Sequence, residues 1–472
     1  MNSEDPRDWT LTQAAAKLRS GEITAEKLTG HSLATIEQAA PRLNCFIKID
    51  AEQALATARS LDRDLAQGRL HGPLHGLPLA HKDMFYRAGK ITTCGAKIRS
   101  DFRPATTSTL LARLDAAGAI DLGQLHMAEF ALSPTGFNFH IGHCRNPWQP
   151  DHVTGGSSSG SGVAVATRMV YGALGSDTGG SVRIPSAACG VTGIKPTQHL
   201  LSNHGVMPLS PSQDCMGLLA QTVEDCAALF DVVSGHDRAD PACCERAPEN
   251  YSAQLTQPPP KGLRIAIPDF QASPQLTEEV AQILQRTAQA LAACGFALKP
   301  IAVPSMEVLN SMSTLVLGAE AASLHGEWLR TRPQDYSPQV LRRISRGKAY
   351  PATAYIDALR LRPLLLQEFI AQHFADADAL LLPVLPRAVP SIEETTSGSE
   401  LAIERVIGRL AYWTRGINYL GLPSLALPAG FSASGLPVGV QLVGRPFAEA
   451  SLFQIGHGFQ QQTDWHRRRP GL

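Results

Sequence analysis

The chain has 472 residues, of which 44% are hydrophobic and 18% charged, and its 42 basic residues balance its 42 acidic ones. A charged fraction below the roughly 25% of an average domain predicts a large buried core. The balanced charge gives no whole-chain electrostatic argument for nucleic acid or acidic lipid as a partner.

The nine cysteines are scattered, without a C-x-x-C pair. This pattern predicts free thiols in a reducing compartment rather than a disulfide framework or a zinc site. The first ten residues, MNSEDPRDWT, have neither the basic nor the apolar segment of a secretory signal. No apolar run reaches the roughly 20 residues that cross a bilayer. We therefore expect a cytoplasmic monomer or homodimer with no membrane span and no nucleic-acid partner.

Apolar spacing predicts a helical start followed by alternating helices and strands. Helices are predicted at 9–39, 51–65, 107–117, 162–171 and 277–294, and over most of 305–375. Strands are predicted at 74–80, 118–123, 173–175, 263–267, 297–303, 379–383, 423–431 and 436–443. The alternation favours an α/β sheet with helices on its faces.

Two regions of the chain are distinguished by composition. Residues 1–70 are expected to form a helical region that packs on the core, and residues 71–472 to form one large α/β domain. Within that domain, residues 238–262 are rich in cysteine, proline and polar side chains and end near three consecutive prolines, 258–260. This composition predicts an exposed connection.

The stretch over residues 154–185, TGGSSSGSGVAVATRMVYGALGSDTGGSVRIP, contains two Gly-Gly-Ser turns that end at Ser157 and Ser181. Glycine pairs allow positive φ and close approach of the backbone. Successive N–H groups in such a turn bind an anion, including one that exists only in a transition state. Two serines beside an N–H cradle indicate acyl transfer, which still needs a base.

Lys82, upstream in Gly76-Leu-Pro-Leu-Ala-His-Lys82-Asp83, is the candidate base. A lysine with an ordinary pKa of about 10.4 is protonated at neutral pH. Burial among apolar residues and hydroxyls lowers that pKa. Asp83 need not pair with Lys82, because adjacent side chains on a strand point to opposite faces.

These motifs, in this order, resemble the amidase signature family. The motifs are Gly76-x-Pro78-x-x-x-Lys82-Asp83, Gly155-Gly-Ser-Ser158, Asp177-Thr-Gly-Gly-Ser-Val-Arg183-x-Pro185, Cys189-Gly190 and Gly193-Ile-Lys-Pro-Thr197. Weaker likeness extends from about residue 11 to residue 470. The resemblance implies a single α/β domain with a mixed, twisted sheet covered by helices on both faces. It also implies hydrolysis of a C–N bond without a metal or organic cofactor.

The family uses a Ser–cis-Ser–Lys triad, and the resemblance assigns its three roles here. Ser181, which follows the glycine turn, is expected to be the nucleophile, with the N–H groups of Thr178, Gly179, Gly180 and Ser181 itself in the oxyanion hole. Ser157, in a cis peptide with Gly156, is the expected bridge, and Lys82 is the base. Asp177 and Arg183 are expected to support the turn, and Ser158 to hydrogen-bond either to Ser157 or to the backbone.

The same residues allow other interpretations. Residues 156–160 match G-x-S-x-G, which would make Ser158 a nucleophile served by Asp378 and His457. That pattern explains neither Lys82 nor the 177–183 motif. The loop lacks the lysine of a phosphate-binding motif. Cys189 lies among small residues that indicate packing, and His140 and His143 are loop histidines with possible substrate contact.

The substrate is predicted from bulky side chains near the motifs. Met127, Phe130, Phe137 and Phe139 lie in a variable segment, and Tyr412 and Trp413 face it from the C-terminal half in this interpretation. They favour a neutral, apolar or aromatic amide or carbamate.

Two alternatives to a stand-alone amidase remain. One is the glutaminase-type subunit of a tRNA-dependent amidotransferase, which by resemblance would carry an acidic residue before Asn418-Tyr-Leu-Gly421-Leu-Pro423. Residues 410–415, LAYWTR, contain no carboxylate. The other alternative is a non-catalytic binding subunit, which the presence of all three triad residues argues against.

Overall fold

Eleven strands form one mixed β-sheet in the computed structural model, which describes residues 5–256 and 262–471. The strands are β1 (Phe46–Ile49), β2 (Pro78–Lys82), β3 (Ile120–Leu125), β4 (Gly172–Asp177), β5 (Thr192–Lys195), β6 (Cys215–Ala220), β7 (Arg264–Pro268), β8 (Ala297–Ile301), β9 (Ala379–Pro383), β10 (Ser424–Phe431) and β11 (Pro437–Gly444). Their order across the sheet is β1-β3-β2-β4-β6-β5-β10-β11-β9-β7-β8.

Helices flank this sheet, and the predicted α/β fold is confirmed. They are α1 (Leu11–Ser20), α2 (Ala25–Leu43), α3 (Ala51–Ala66), α4 (Thr109–Ala116), α5 (Ser159–Ala166), α6 (Arg183–Cys189), α7 (Val223–Val233), α8 (Tyr251–Leu255), α9 (Glu278–Ala293), α10 (Glu307–Leu324), α11 (Gly326–Thr331), α12 (Pro338–Arg346), α13 (Ala352–His373), α14 (Ile392–Thr396), α15 (Glu400–Leu410), α16 (Arg415–Leu420) and α17 (Glu449–Gln462).

Parallel pairing occurs at two places in the sheet. β2 lies between β3 and β4 and is parallel to both, and β7 is parallel to β8 and β9. The central pairs from β4 to β9 are antiparallel. Because β2 and β4 run in the same direction, their carboxyl ends, which carry Lys82 and Asp177, meet at one edge of the sheet. This is the edge at which α/β sheets place ligand sites.

Three strands, β1, β5 and β6, were absent from the predicted elements. Glycine weakens the strand pattern in two of them, Gly193 in β5 and Gly217 in β6. Close packing explains the glycine in β6, because a Cβ on Gly217 would lie 2.4 Å from the Ile194 carbonyl oxygen. β1 pairs with β3, so the N-terminal region contributes a strand as well as helices.

The N-terminal helices bury their apolar faces in the main core. Leu11 and Leu18 of α1 are buried there, and the α1 capping box begins at Thr10. In the predicted exposed connection, α8 buries Tyr251 and Leu255, and the three prolines at 258–260 lie outside the described residues.

All nine cysteines have free thiols, and seven of them are buried. Within 5–256 and 262–471, no helix has both the length and the apolar character needed to cross a membrane.

Candidate active site

The Lys82 amine lies fully buried between two serine hydroxyls. Its Nζ is 2.7 Å from the Ser157 Oγ and 2.8 Å from the Ser176 Oγ. No carboxylate among the described residues forms an ion pair with it, although Asp177 and Asp214 act on it from a distance. Burial therefore dominates and lowers the pKa of Lys82 to about 7. A substantial neutral fraction can then accept a proton near pH 7.

Asp83 points away from Lys82, as strand alternation predicts. Its carboxylate accepts hydrogen bonds from the Thr93 N–H at 3.1 Å, the Gly95 N–H at 3.4 Å and the Thr93 hydroxyl. Burial raises the pKa of Asp83 to about 6. The carboxylate therefore fixes the loop after β2 and leaves the amine without a counterion.

Ser157 follows a cis peptide bond, the geometry that the resemblance implies. The next residue joins the two serine turns, since the Ser158 N–H donates to the Ser181 carbonyl at 3.2 Å. The Ser158 hydroxyl binds the backbone of β4, at 3.2 Å from both the N–H and the carbonyl of Ser176. Of the two partners expected for Ser158, the backbone is the one observed.

The turn that carries Ser181 is held by a buried ion pair. Arg183 donates to both carboxylate oxygens of Asp177 at 3.0 Å, and both side chains are fully buried. The Arg183 guanidinium lowers the pKa of Asp177 well below its usual range. The same guanidinium donates to the Gln441 side chain at 2.9 Å and the Thr414 carbonyl at 3.0 Å. The pair thus connects the turn to β11 and to the start of α16.

The expected oxyanion donors need one correction. The Gly180 N–H donates to the Asp177 carboxylate at 2.7 Å, so it is already used within the turn. The N–H groups of Thr178, Gly179 and Ser181 have no acceptor within the described parts of the chain. These three, rather than Gly180, are the N–H groups available to an oxyanion.

Several supporting side chains were missed by sequence analysis. The Thr178 hydroxyl donates to Asp214 at 2.6 Å, and the Thr414 hydroxyl donates to the Gly179 carbonyl at 2.7 Å. The Ser176 hydroxyl accepts a hydrogen bond from the Lys82 amine, and the Asn418 amide donates one to the Asp177 carbonyl at 2.8 Å. Asn418 belongs to a motif that the sequence already displayed, whereas no local pattern marks Asp214 or Thr414 as neighbours of the turn.

A cavity of about 270 Å³ opens in front of Ser181. One wall is formed by residues 131–134 and another by Thr178 and Gly179. The remaining lining residues include Ile184, Leu209, Thr314, Leu317, Arg343, Arg346, Tyr350, Glu404, Ala411 and Arg415. Three arginines and one glutamate are among these lining residues, so the residues around the cavity carry a net positive charge.

The six residues predicted to form a substrate pocket do not line this cavity. Met127 and Trp413 are fully buried in the core. The Phe130 ring packs 4.5 Å from that of His325, and Phe137 lies 4.4 Å from His143. Phe139 is 59% exposed. Tyr412 packs edge-on against Trp413 at 5.1 Å. Apart from the exposed Phe139, these side chains pack against protein neighbours, because backbone direction, which the sequence pattern does not give, decides where each side chain points.

The residues of the alternative triad are not brought together. Asp378 accepts a hydrogen bond from the Arg264 N–H, and His457 contacts Gln461. His140 pairs with Glu129 at 3.1 Å. Burial raises the pKa of the Cys189 thiol, which keeps it protonated.

The family model described as Amidase matches residues 27–453. The chain belongs to the amidase family. A glutamyl-tRNA(Gln) amidotransferase subunit from Neisseria meningitidis serogroup C is 38% identical over 98% of this chain and 99% of its own length. This amidase also resembles two solved structures, both with a TM-score of 0.89.

One of these structures comes from work on a vestigial protein complex and the origins of an s-triazine catabolic enzyme. It is 31% identical and covers 96% of this chain and 98% of its own. The other is 6-aminohexanoate cyclic dimer hydrolase with its substrate, at 27% identity over 98% of this chain and 99% of its own.

The pKa of Lys82 predicts how activity depends on pH. If Lys82 is the base, as the resemblance predicts, its neutral form is the active one, and kcat/KM should rise with pH through about 7 and level off above it. Lys82→Ala should lower kcat by about 10²- to 10⁴-fold. Lys195→Met is a matched control, since that buried amine binds the Pro196 carbonyl and contacts no serine of the site. A profile that stays flat from acid to alkaline pH would contradict lysine as the base.

The conformation of Gly180 predicts a second result. Its φ is +126°, and a Cβ there would lie 2.3 Å from the Thr414 Oγ1 that holds the turn. Gly180→Ala should therefore displace the oxyanion donors and lower kcat by about 100-fold or more. A Cβ on Gly179 would meet only the Arg415 Cγ, at 3.8 Å, so Gly179→Ala should leave thermal stability unchanged. A Gly180→Ala enzyme with the wild-type kcat would contradict this account of the turn.

Proposed function

We propose that this amidase hydrolyses the C–N bond of a small linear amide or carbamate that carries a carboxylate near the scissile carbonyl. The observation that carries the proposal is the set of three arginines, Arg343, Arg346 and Arg415, around the cavity at Ser181. Arginine binds carboxylates through paired, charge-assisted hydrogen bonds. A cytoplasmic setting is part of the same proposal.

Two of the three guanidinium groups lack a counterion. Arg346 pairs with Glu404 at 2.9 Å. Among the described residues, neither Arg343 nor Arg415 forms an ion pair, and Arg343 instead donates to the Leu132 carbonyl at 2.6 Å. Burial, with Arg415 nearby, lowers the pKa of Arg343 to about 10, so it still carries its charge at neutral pH. A substrate anion would supply the missing negative charge.

The position of Arg415 supports a substrate in which the carboxylate is close to the scissile carbonyl. The Cγ of Arg415 lies 3.8 Å from where a Cβ on Gly179 would be, and Gly179 carries one of the available oxyanion donors. Arg415 also follows Thr414, which binds the Gly179 carbonyl. The carboxylate of the substrate and its scissile carbonyl are therefore proposed to be a few bonds apart.

In the proposed reaction, neutral Lys82 takes the proton of Ser157 while Ser157 takes that of Ser181. The Ser181 oxygen attacks the carbonyl carbon, and the N–H groups of Thr178, Gly179 and Ser181 stabilise the oxyanion. Ser157 then gives a proton to the leaving nitrogen, the C–N bond breaks, and water releases the acyl group by the reverse path. The 2.7 Å contact between Lys82 and Ser157 supports this relay.

This proposal keeps the reaction predicted from sequence and changes the substrate. The prediction of an apolar or aromatic substrate rested on six bulky residues, and none of them lines the cavity. The arginines that do line it come from α12 and α16, far along the chain from the serine motifs.

A second candidate is the glutamine-hydrolysing subunit of an amidotransferase. The relative from Neisseria meningitidis supports it, with 38% identity over nearly the whole chain, and it would make this chain part of a heteromer. Glutamine also carries a carboxylate. Its ammonium group, however, would need an acidic partner. Residues 410–415, where the resemblance leads us to expect one, contain no carboxylate. Glu404, the only carboxylate among the described lining residues, is paired with Arg346.

The test compares succinamate, butyramide and glutamine as substrates of wild type and Arg415→Gln. We expect succinamate to be preferred to butyramide. Arg415→Gln should raise KM for succinamate by about tenfold or more and leave kcat/KM for butyramide unchanged. Arg342→Gln is the matched control, because Arg342 is on the same helix as Arg343 but pairs with Glu400 outside the cavity.

Three outcomes separate the candidates. Equal turnover of succinamate and butyramide, or an unchanged KM in Arg415→Gln, would overturn the carboxylate proposal. Turnover of glutamine far above that of succinamate would favour the role in an amidotransferase and direct the search to its partners.

A further inference from the structure

A second, larger cavity lies away from Ser181, and the two cavities have no lining residue in common within 5–256 and 262–471. Its volume is about 860 Å³. It is bordered by the segment before and in α1, the start of α7, the end of α17 and the C-terminal tail. Its lining residues are Arg7, Asp8, Thr10, Thr12, Gln13, Ala16, Arg168, Gln221, Thr222, Glu224, His457, Gln460, Gln461, His466, Arg467 and Arg469.

Four guanidinium groups line this cavity, and two of them have carboxylate partners. Arg7 binds Asp5 at 2.7 Å, and Arg469 lies 3.2 Å from Asp8. In the part of the chain that the structure describes, Arg168 and Arg467 form no ion pair. Glu224 also lines the cavity, and it is exposed to solvent. Among the described lining residues, the cavity therefore has two guanidinium groups without an ion pair, and two exposed carboxylates, Asp8 and Glu224, of which Asp8 pairs with Arg469.

The fold holds Arg168 firmly in this position. Its backbone has a φ of +60°, in the left-handed region. Its guanidinium donates to the Val165 carbonyl at 3.1 Å and to the His466 carbonyl at 3.2 Å. Carbonyls satisfy N–H donors but do not neutralise charge. Burial lowers the pKa of Arg168 to about 10 in spite of Asp225 nearby, so the side chain is still cationic at neutral pH.

His466 connects the two unpaired arginines and has a free polar atom. Its carbonyl accepts the hydrogen bond from Arg168, and Arg467 is the next residue. The His466 ring is 6% exposed, and its Nδ1 has no hydrogen-bond partner among the described residues. Burial lowers the pKa of His466 to about 4, so the ring is neutral at pH 7 and its Nδ1 can carry a hydrogen to donate. A buried ring nitrogen without a partner among the described residues is free to hydrogen-bond to a ligand that enters the cavity.

We propose that this cavity binds a small polyanion, a molecule with phosphate or carboxylate oxygens, through Arg168, Arg467 and His466. The volume lies within the range of small-molecule sites. Arg168 and Arg467 both lie next to His466, and their guanidinium groups can donate the paired hydrogen bonds that phosphate and carboxylate oxygens accept. The site is separate from the catalytic cavity, and its existence does not depend on the proposed amide substrate.

The experiment titrates the full-length protein with inorganic pyrophosphate and, separately, with citrate by calorimetry at low ionic strength. The variants are Arg467→Gln, Arg168→Gln and, as the matched control in the other cationic cavity, Arg415→Gln. We expect at least one probe to bind wild type with a Kd below about 1 mM. Arg467→Gln and Arg168→Gln should each weaken that binding about tenfold, and Arg415→Gln should leave it unchanged.

Each result decides the proposal. Tighter binding of pyrophosphate assigns a phosphorylated ligand, and tighter binding of citrate assigns a polycarboxylate. Absence of binding by both probes, binding weakened only by Arg415→Gln, or binding that none of the variants affects would overturn the proposal. If Arg168→Gln does not fold, the exposed Arg467 still provides the test.

Discussion

The site depends on one buried amine that has no counterion. Removing Lys82 from water would be unfavourable if it stayed charged, so the fold lowers its pKa to about 7 and satisfies it with the hydroxyls of Ser157 and Ser176. Asp83, the nearest carboxylate in sequence, is directed to Thr93 and Gly95 instead. The arrangement leaves a substantial fraction of the Lys82 amine neutral near pH 7, as its proposed role as the base requires. An ion pair at Lys82 would keep the amine protonated and remove the base.

The second requirement is a rigid turn at Ser181. The Asp177 carboxylate accepts hydrogen bonds from the backbone of the turn and from the Arg183 guanidinium. Arg183 also donates hydrogen bonds to Gln441 and Thr414, which belong to the C-terminal part of the chain. A buried ion pair of this kind fixes geometry more reliably than it adds net stability. It explains how residues about 260 positions apart in sequence, Asp177 and Gln441, help to hold one turn. The mixed sheet supplies the frame, because parallel β2 and β4 bring Lys82 and Asp177 to one edge.

Sequence analysis could predict the parts of this site that lie within short motifs. The glycine turns, the serines and the lysine after an apolar strand can each be recognised in a short stretch of sequence. Their order along the chain resembles that of a known family, and this resemblance predicts the fold. The pocket could not be predicted, because its arginines come from α12 and α16 and line the same cavity as Ser181 only through tertiary packing. The six residues predicted to form a pocket do not line this cavity for the same reason: Trp413 points into the core while its neighbours Ala411 and Arg415 line the cavity. Whether the Gly180 N–H is available to an oxyanion likewise depends on tertiary structure, because the Asp177 side chain is positioned to accept its hydrogen bond.

The central claim is that Ser181 forms an acyl-enzyme through Lys82 and Ser157. The most direct measurement is acid quenching of the enzyme during turnover of succinamate, followed by peptide mass spectrometry to locate the acyl group. We predict a succinyl group on the peptide that contains Ser181, and its absence in Ser181→Ala, which should be folded and inactive. An acyl group on Ser157, Ser158 or Cys189, or full activity of Ser181→Ala, would contradict the account.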